Sequence, residues 1–478
     1  MKTLRVIVVA LIAVGCATNP ATGRRQLILM SESEEIQLGR QGDAEVRQQM
    51  GLYKDQALQR YVNDVGQRLA RTSQRPNLPW SFAVVDEQAV NAFALPGGYI
   101  YITRGILPFL RNEAELAAVM GHEVGHVDAK HAAEAYSKQQ FAGGGLALAG
   151  ILFPETQGLQ GLAGLGLGML FLKHGREAEL ESDQLGIRYA ARNGWSPEGM
   201  PGLLNTLARL DEASGSSRGV PNWAMTHPPA ADRVERVHDA VAAAEAANAN
   251  ARTTNPGELE RHLDGLVFGD SREKGMVRGN EFIHPVLRFA LTFPQGWEIV
   301  NTDAQVSARD SSTSNVAMLL ELAPGNGSPE QLARTAFSQS GLQLVDGGRT
   351  RINGLDAFVG TYEGAIQNTR VGLRAAFVRS GQQTYVIAGL APAAQFNGAA
   401  RAFETSIGTF RAISAQEADR IRENRVDFYT ARAGDTWDSI ARGPAGGRIK
   451  ASTLAIMNGS SPTAPPRAGD RLRIVVGG

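Results

Sequence analysis

The sequence has few of the residues on which disulfide-rich, cysteine-ligated or nucleic-acid-binding proteins depend. Cys16 is the only cysteine among 478 residues, so the chain can form neither an internal disulfide nor a multi-cysteine zinc site. Lysine plus arginine number 48, as do aspartate plus glutamate, and no basic block interrupts this balance. Such a chain gains no long-range attraction to a polyanion, so we expect no nucleic-acid partner.

Long hydrophobic runs are also missing. The apolar run 6–15 is shorter than the ~20 residues that a membrane-spanning helix needs. It follows Lys2 and Arg5, and this layout predicts a cleaved signal peptide over residues 1–15. A second apolar run, 142–172, is split by a Pro-Glu-Thr-Gln segment into pieces too short to span, so we expect it to be buried.

The rest of the composition predicts a globular chain with two different halves. Hydrophobic residues make up 43% and charged residues 20% of the sequence, which is enough for several buried cores. An Asn-Pro-Gly turn at 255–257, after an alanine- and asparagine-rich stretch, separates a helix-rich half from a strand-rich half. In the second half, β-prone runs alternate with turns, and Ser328 followed by Pro329 and Gln331 predicts a capped helix.

The C-terminal segment resembles a LysM repeat. Its most specific parts are the Gly-Asp-Thr-Trp turn at 434–437 and the closing Gly-Asp-Arg-Leu sequence at 469–472. The resemblance implies a strand, two helices and a strand, and binding to N-acetylglucosamine-containing glycans such as peptidoglycan. The insertion at 443–447 departs from the usual length, and the alternative is a module that stabilises the fold without binding glycan.

A capped helix is predicted in the first half. Asn112, followed three residues later by Glu115, is a capping-box pattern, so the helix should begin at Glu113. Apolar residues continue at helical spacing, and we expect the helix to run past His131.

This helix carries the sequence HEVGH. His122 and His126 lie one turn apart on one face, where both imidazoles can reach a single ion, and Glu123 lies ~100° around the helix. The pattern His-Glu-x-x-His is typical of zinc peptidases. A five-residue pattern also arises by chance, and the alternative is two solvent-facing histidines on an amphipathic helix.

A third ligand is the test of this interpretation. Metzincins carry a glycine and a histidine three and six residues after the second histidine, but alanine occupies both places here, which excludes that class. Downstream, Glu179 and Asp183 lie four residues apart on a second predicted helix and share one face. The neighbouring Glu177 and Glu181 point elsewhere on that helix.

The chemistry gives these groups different tasks. A catalytic zinc takes three protein ligands and leaves one position open, which predicts His122, His126 and Glu179 as ligands of one zinc ion per chain. A ligating histidine usually donates its other ring proton to a carboxylate, and Asp183 is placed to accept it, with His122 as the favoured partner. Glu123 is the expected general base, which takes a proton from the attacking water and returns it to the leaving amine.

Four separated motifs together resemble a known family. They are the sequence NAFALPGGYIYITRG at 91–105, the HEVGH helix, the segment 179–183 and Thr-His-Pro-Pro at 226–229. In this order they are similar to periplasmic, BepA-like members of the HtpX and CAAX-prenyl-endopeptidase family of zinc metallopeptidases, peptidase family M48. The resemblance covers residues 27–241 and implies a helical body with a small β-sheet beside the metal.

The family resemblance also implies roles for single residues. It makes Glu179 the third zinc ligand. His227 is expected to act in catalysis beside the metal, either as a latch that occupies the open position of the zinc or as an oxyanion donor. The alternative is a residue that only begins a helix. For His131 we expect a packing or capping role only.

An extended substrate could bind to a strand near the metal. The β-prone residues Asn91, Ala92, Phe93 and Ala94 precede a Pro-Gly-Gly turn, and an edge strand there could hold a peptide by strand addition. The alternative is a hairpin that serves only the core.

The residues before Cys16 resemble a somewhat degenerate bacterial lipobox. Cleavage there would leave a lipidated Cys16 as a membrane anchor for a periplasmic protein. Ala17, and not an aspartate, stands at the next position, which in Gram-negative lipoproteins implies sorting to the outer membrane. The alternative is an ordinary signal peptide cut nearby, which would give a soluble periplasmic protein.

These features predict an α+β multidomain protein. The expected parts are a lipoprotein signal peptide (1–15), a mainly helical gluzincin-type zinc metallopeptidase domain with a small β-sheet (16–248), a linker (249–280), an α+β domain of unknown role (281–415) and a LysM-like βααβ domain (425–478).

The expected function is zinc-dependent hydrolysis of peptide bonds in unfolded or misassembled cell-envelope proteins, a substrate class that the resemblance implies. The alternatives are a mostly latent chaperone or assembly factor, and an adaptor bound to peptidoglycan. A glycan hydrolase is disfavoured because the only concentrated chemistry is the metal site.

Overall fold

The structure, a computed structural model, forms two compact units. The first comprises the described residues up to 269 and again from 424 onward, and the second comprises 270–423. The predicted signal peptide and the apolar run 142–172 lie outside the described residues. These are 16–141, 175–214, 223–227, 230–302, 305–312, 315–323, 325–337, 341–366 and 369–477.

The first unit is mainly helical. None of the helices in the described ranges combines the length and the apolar character needed to span a bilayer. Its helices are α1 (Glu32–Gln49), α2 (Gln56–Arg71), α3 (Glu113–Asp128), α4 (His131–Phe141), α5 (Arg176–Arg192), α6 (Gly199–Ser214), α7 (Trp223–Thr226), α8 (Ala231–Val234), α9 (His238–Ala247) and α10 (Pro256–Leu263).

Helix α3 is the central element, and all of its residues are buried. It begins at Glu113 as predicted, because the Asn112 side chain accepts a hydrogen bond of 3.0 Å from the amide of Glu115. The prediction that it continues past His131 is wrong. It ends at Asp128, and the carbonyl of Val127 in its last turn accepts a hydrogen bond from the side chain of Arg75, outside the helix.

A small sheet packs beside α3. Strands β1 (Cys16–Thr18) and β2 (Arg25–Leu27) form a separate hairpin, whereas β3 (Ser81–Val85), β4 (Ala92–Leu95) and β5 (Tyr99–Thr103) form a sheet in the order β3-β5-β4. Strand β5 runs parallel to β3 and antiparallel to β4. Among the described residues β4 pairs with β5 alone, so it is an edge strand, and it contacts α3.

The second unit combines sheets with a few helices, in keeping with the predicted α+β character. The predicted capping box at Ser328 is confirmed, with Pro329 as the first helical residue. Strand β6 (Val267–Phe268) still belongs to the first unit. The elements of the second unit are β7 (Met276–Arg278), β8 (Glu281–His284), β9 (Phe289–Thr292), β10 (Trp297–Asn301), β11 (Gln305–Asp310), β12 (Ala317–Leu322), α11 (Pro329–Thr335), β13 (Leu342–Ile352), β14 (Leu355–Ile366), β15 (Thr369–Ser380), β16 (Gln383–Pro392), α12 (Ala393–Gly408), β17 (Arg411–Ala412) and α13 (Ala415–Arg420).

Two antiparallel sheets organise these strands. The larger has the order β10-β11-β12-β16-β15-β14-β13, and the smaller has the order β17-β9-β8-β7. Helix α12 packs on β15 and β16, so one face of the larger sheet is partly covered by a helix.

The C-terminal segment returns to the first unit. It consists of β18 (Asn424–Thr430), α14 (Trp437–Arg442), α15 (Ala451–Met457) and β19 (Arg471–Gly477), which is the predicted order of strand, two helices and strand. Strand β18 pairs with β19 on one side and with β6 on the other. The segment therefore closes a sheet with a strand that precedes the second unit.

This arrangement differs from the predicted division into a linker at 249–280 and a separate domain at 425–478. Asn255, in the expected linker, donates to the carboxylate of Glu113 at the first residue of α3. Buried apolar residues of the C-terminal segment, such as Leu454, lie in the same hydrophobic core as α3. Arg473 is buried and donates to the backbone carbonyls of Pro108, Leu110 and Arg111, at 3.0, 2.5 and 3.0 Å.

Leu454→Ala should therefore destabilise the whole first unit, and not the C-terminal segment alone. The side chain is fully buried in the shared core, and truncation of such a leucine costs about 2–5 kcal/mol. Hydrogen exchange of the α3 amides, measured together with urea unfolding, should show that the free energy of the opening that permits exchange falls by the same amount.

Leu322→Ala is the matched control, since Leu322 is 49% exposed and lies in the second unit. It should change the stability by no more than about 0.5 kcal/mol. Faster exchange confined to β18, β19, α14 and α15 in the Leu454 variant would show that the C-terminal segment folds separately.

Candidate metal centre

The two histidines of α3 point into the protein. His122 is fully buried and His126 is 3% exposed, so the alternative of two solvent-facing histidines is wrong. Their Nε2 atoms lie 3.0 Å apart, as expected for side chains one helical turn apart that converge on a common point.

Helix α5 brings Glu179 to these histidines. Its Oε2 lies 3.5 Å from the Nε2 atom of His122, and its Oε1 lies 3.4 Å from the Nε2 atom of His126. The approach depends on glycine, because a Cβ atom on Gly186 of α5 would lie 2.8 Å from the backbone nitrogen of His122. Gly125 of α3 faces the backbone of Ser182 at similarly close range.

His227 completes the group. Its Nδ1 atom lies 2.9 Å from Oε2 of Glu179 and 3.4 Å from Nε2 of His122. The ring stacks on Trp223 with centroids 3.9 Å apart, and the backbone amide of Trp223 donates to the carbonyl of Val90. Helix α7 is thereby attached to the chain just before β4.

Asp183 and Arg233 lie directly behind the ligand group. Oδ1 of Asp183 lies 2.9 Å from Nδ1 of His122, which is the predicted pairing. Arg233, on α8, donates through Nε to Oδ2 of Asp183 at 2.8 Å and through Nη1 to Oε2 of Glu179 at 2.7 Å. Its Nη2 also donates to Asp183.

Arg233 is a site residue that sequence reasoning missed. The residue follows His227 at a distance of six positions, within the same short segment, and this proximity was the available signal. An arginine on a short helix carries no ligand pattern of its own, so only its burial between two carboxylates reveals its role.

The ionisation states of the buried groups at the site depend on one another. Burial opposes ionisation of Glu179, yet the facing His227 and His126 hold the pKa of its carboxyl well below the usual range. Burial also opposes the charge of Asp183, but the guanidinium of Arg233 and the ring of His122 together outweigh it and lower the pKa of that carboxyl. Both carboxylates are therefore available as anions.

Glu123 lies beside the ligand group without being part of it. The residue is buried, and its Oε1 atom has no hydrogen-bond partner among the described residues, with Nε2 of His227 at 3.7 Å. Burial raises the pKa of Glu123 to about 7, against the opposing effect of His227. A carboxyl in this range can both take up and return a proton near neutral pH.

The residues fit a divalent metal ion. One ligand atom from each of His122, His126, Glu179 and His227 lies within 4.8 Å of the others. The measured spacings between them resemble the separation of about 3.4 Å between ligands of a tetrahedral zinc with bonds of ~2.1 Å. Nitrogen and carboxylate donors, with a carboxylate behind one histidine, are the ligand chemistry that zinc prefers.

The predicted substrate residues lie at the edge strand. Asn91 is buried, its backbone pairs with Thr103, and its Oδ1 accepts a 3.5 Å hydrogen bond from Thr226, which precedes His227. Ala92 and Phe93 are buried in the core, and Ala94 is half-buried. That these residues bind substrate stays a prediction.

The remaining predicted residues lie away from the ligand group. Glu177 is exposed and pairs with Arg24, whereas Glu181 contacts His131, so neither rival carboxylate reaches the site. Cys16 lies in β1, opposite Leu27, and its lipidation stays a prediction.

Comparisons with known proteins agree with this geometry. Residues 56–241 match the family model described as peptidase family M48. The beta-barrel assembly-enhancing protease of Escherichia coli strain K12 is 33% identical over 225 residues, which cover 44% of each chain. The mitochondrial metalloendopeptidase OMA1 of Arabidopsis thaliana is 33% identical over 177 residues, 36% of this chain and 34% of the relative.

A further relative is the putative beta-barrel assembly-enhancing protease of Vibrio cholerae serotype O1, 29% identical over 231 residues, or 46% of this chain and 44% of the relative. The chain thus spans less than half the length of these curated relatives. The matched region contains the whole ligand group, while the second unit and the C-terminal segment lie beyond the family match.

Asp183→Asn should weaken zinc binding by roughly 10–100-fold without abolishing it. The variant removes the charge that orients His122, and it leaves Arg233 to compete with the metal for Glu179. Competition with a chromophoric chelator measures the affinity. Asp232, an exposed residue directly before Arg233, supplies the control, since Asp232→Asn should bind zinc like the parent. Equal affinity in both variants would contradict the role of Asp183.

Proposed function

Residues 56–241 of this chain form a domain of peptidase family M48, and from this premise we propose that the protein is a zinc-dependent endopeptidase. One observation carries the proposal. Three separate chain segments converge on one point with four potential ligands, and an unpartnered carboxylate oxygen of Glu123 lies beside them.

In this proposal His122, His126 and Glu179 hold the zinc ion. When bound, the ion would supply a Lewis acid that polarises water and the peptide carbonyl. Glu123 takes a proton from the attacking water as the new carbon–oxygen bond forms. The same carboxyl then gives the proton to the leaving amine as the carbon–nitrogen bond breaks.

The other residues position this chemistry. Asp183 and Arg233 fix the orientation of His122 and Glu179 through hydrogen bonds of 2.7–2.9 Å. The edge of β4 would hold an extended peptide by backbone hydrogen bonds, since β4 contacts α3 and has no second partner strand among the described residues. Such binding depends little on side chains, which suits unfolded substrates.

We infer the substrates to be unfolded or misassembled proteins of the cell envelope. The names of the bacterial relatives refer to assembly of β-barrels, and the name of the plant relative refers to mitochondrial endopeptidase activity. The lipobox-like sequence before Cys16 supports a periplasmic location with a lipid anchor in the outer membrane. A soluble periplasmic form is the alternative.

Peptidoglycan is the proposed partner of the C-terminal segment. The LysM-like sequence and the strand, two helices and strand in that order support this. The contacts of Leu454 and Arg473 with the first unit support a second role, the stabilisation of the peptidase fold. A protein that acted only as a peptidoglycan-bound adaptor would need the glycan binding but not the stabilisation of a peptidase fold.

A mostly latent enzyme is the alternative that the site geometry favours. With Nδ1 of His227 among the ligand atoms, all four corners of a tetrahedral site are supplied by the chain. A catalytic zinc needs an open position, so His227 must move away before a substrate can react.

Glu123→Gln should lose peptide cleavage by a factor on the order of 10² or more, because the base that moves the proton is removed. It should retain one zinc per chain, since Glu123 is not among the ligand atoms. Cleavage of an unfolded casein-type substrate and metal analysis of the same preparation are the measurements. Addition of a chelator to the parent should abolish activity.

Two further variants serve as controls for this result. Glu179→Gln should lose zinc and activity together, whereas Glu212→Gln, an exposed position on α6, should change neither. A Glu123→Gln protein that cleaves as fast as the parent would exclude the proposed mechanism.

His227→Ala should increase the turnover while zinc stays bound. A minor competent state is typically 0.1–10% populated, so removal of the closing ligand should raise the rate on the order of tenfold or more. Steady-state kinetics with metal analysis measures this. A fall in turnover would contradict the latch and identify His227 as an oxyanion donor, and an unchanged turnover would leave it only as a helix-start residue. The exposed His238→Ala serves as control.

A further inference from the structure

His131 lies next to the ligand group although it was expected only to pack or to cap. It lies five positions after His126, so on a continuous helix the two side chains would be about 140° apart and could not meet. The chain instead breaks after Asp128, and Lys130 takes a left-handed conformation with φ of 58°. A non-glycine residue seldom adopts this conformation.

The break directs the ring of His131 back to α3. Its Nδ1 atom lies 3.0 Å from Nδ1 of His126, with the ring centroids 5.0 Å apart. His131 is 5% exposed, so the contact is made inside the protein. The strained turn and the contact occur together, which indicates that the turn serves to place this ring.

A chain of hydrogen bonds continues from His131 to the partly buried Glu181. Nε2 of His131 lies 3.4 Å from Oε2 of Glu181, and Oε1 of Glu181 accepts a 2.8 Å hydrogen bond from Asn19. Asn19 in turn accepts from the amides of Ala21 and Thr22 in the turn between β1 and β2. The N-terminal hairpin thus supports the carboxylate that holds His131.

The proton positions follow from the ligand geometry. Nε2 of His126 faces the other ligand atoms, so a metal-binding His126 carries its proton on Nδ1. His131 must then accept at Nδ1, which leaves its own proton on Nε2 to be donated to Glu181. The hydroxyl of Ser182 also lies 3.3 Å from Nδ1 of His131, where in this assignment it is a second donor to the same atom.

We propose that His131, held by Glu181, is the positioning residue for the metal ligand His126. His122 has the carboxylate of Asp183 behind it, and His126 has the His131–Glu181 pair in the equivalent place. A partner that accepts the second ring proton fixes the tautomer and the ring orientation of a ligand. The inference rests on the proposed function, because it assumes that His126 binds a metal ion.

Two substitutions separate this role from simple packing. Asparagine places its side-chain oxygen near the Nδ1 position of histidine, so His131→Asn keeps an acceptor for His126. Glutamine extends to the Nε2 position, so His131→Gln keeps the contact with Glu181 and removes that acceptor. The two variants differ in which of the two contacts they retain.

We expect His131→Gln to bind zinc roughly 10–100-fold more weakly than the parent, and His131→Asn to bind at least tenfold more tightly than His131→Gln. Competition with a chromophoric chelator gives the affinities. The visible absorption of the cobalt-substituted proteins gives a second readout, which should be parent-like for the asparagine variant and altered for the glutamine variant. Urea unfolding of both metal-free variants shows whether their folds are equally stable.

The outcomes distinguish this inference from the proposed function. A parent protein that binds no zinc overturns the proposed function itself. A parent with one zinc per chain, together with equal affinities for the two His131 variants, overturns only the positioning role. His238→Gln, at an exposed histidine of α9, should bind zinc and absorb light like the parent.

Discussion

The buried arginine between Glu179 and Asp183 is the interaction on which the site depends. Two carboxylates with no solvent exposure would cost several kcal/mol each if they lacked a counter-charge. Arg233 donates to both, and this lets them stay ionised in the interior. Ionised Glu179 and Asp183 give two negative charges against the single positive charge of Arg233, and a bound cation would balance the excess negative charge.

This constraint determines how the helices meet. The two histidines come from α3, the two carboxylates from α5 and the arginine from α8, so all three helices must approach within hydrogen-bond distance. Gly186 permits α5 to lie against the backbone of His122, where a side chain would collide. Close packing and charge compensation are thus two requirements of one arrangement.

Hydrogen bonds from distant parts of the chain also hold the start of α3. Glu113 accepts hydrogen bonds from Tyr61, Trp195 and Asn255, which lie on three distant parts of the chain. Arg473 donates to the carbonyls just before the helix. The C-terminal segment therefore takes part in the framework of the metal centre, and its removal would expose apolar core and leave those carbonyls without partners.

Several features of the site could be predicted because they are local. The cap at Asn112 fixes where α3 begins, and a four-residue spacing places His122 and His126 on one face whatever the rest of the fold does. The same spacing places Glu179 and Asp183 together on α5. The predicted pairing of Asp183 with His122 needed only the chemistry of a ligating histidine.

The secondary-structure periods, the helix caps and the types of ligand could be predicted from the sequence alone, because each depends on neighbours within a few residues. The end of α3 at Asp128, the burial of Arg233 and the contact of His131 with His126 depend on groups far away in the chain. The same holds for the C-terminal segment, whose strand-and-helix pattern was predicted but whose packing into the first unit was not. These features become visible in the folded chain alone, since burial and the pairing of buried charges are properties of segments brought together by folding.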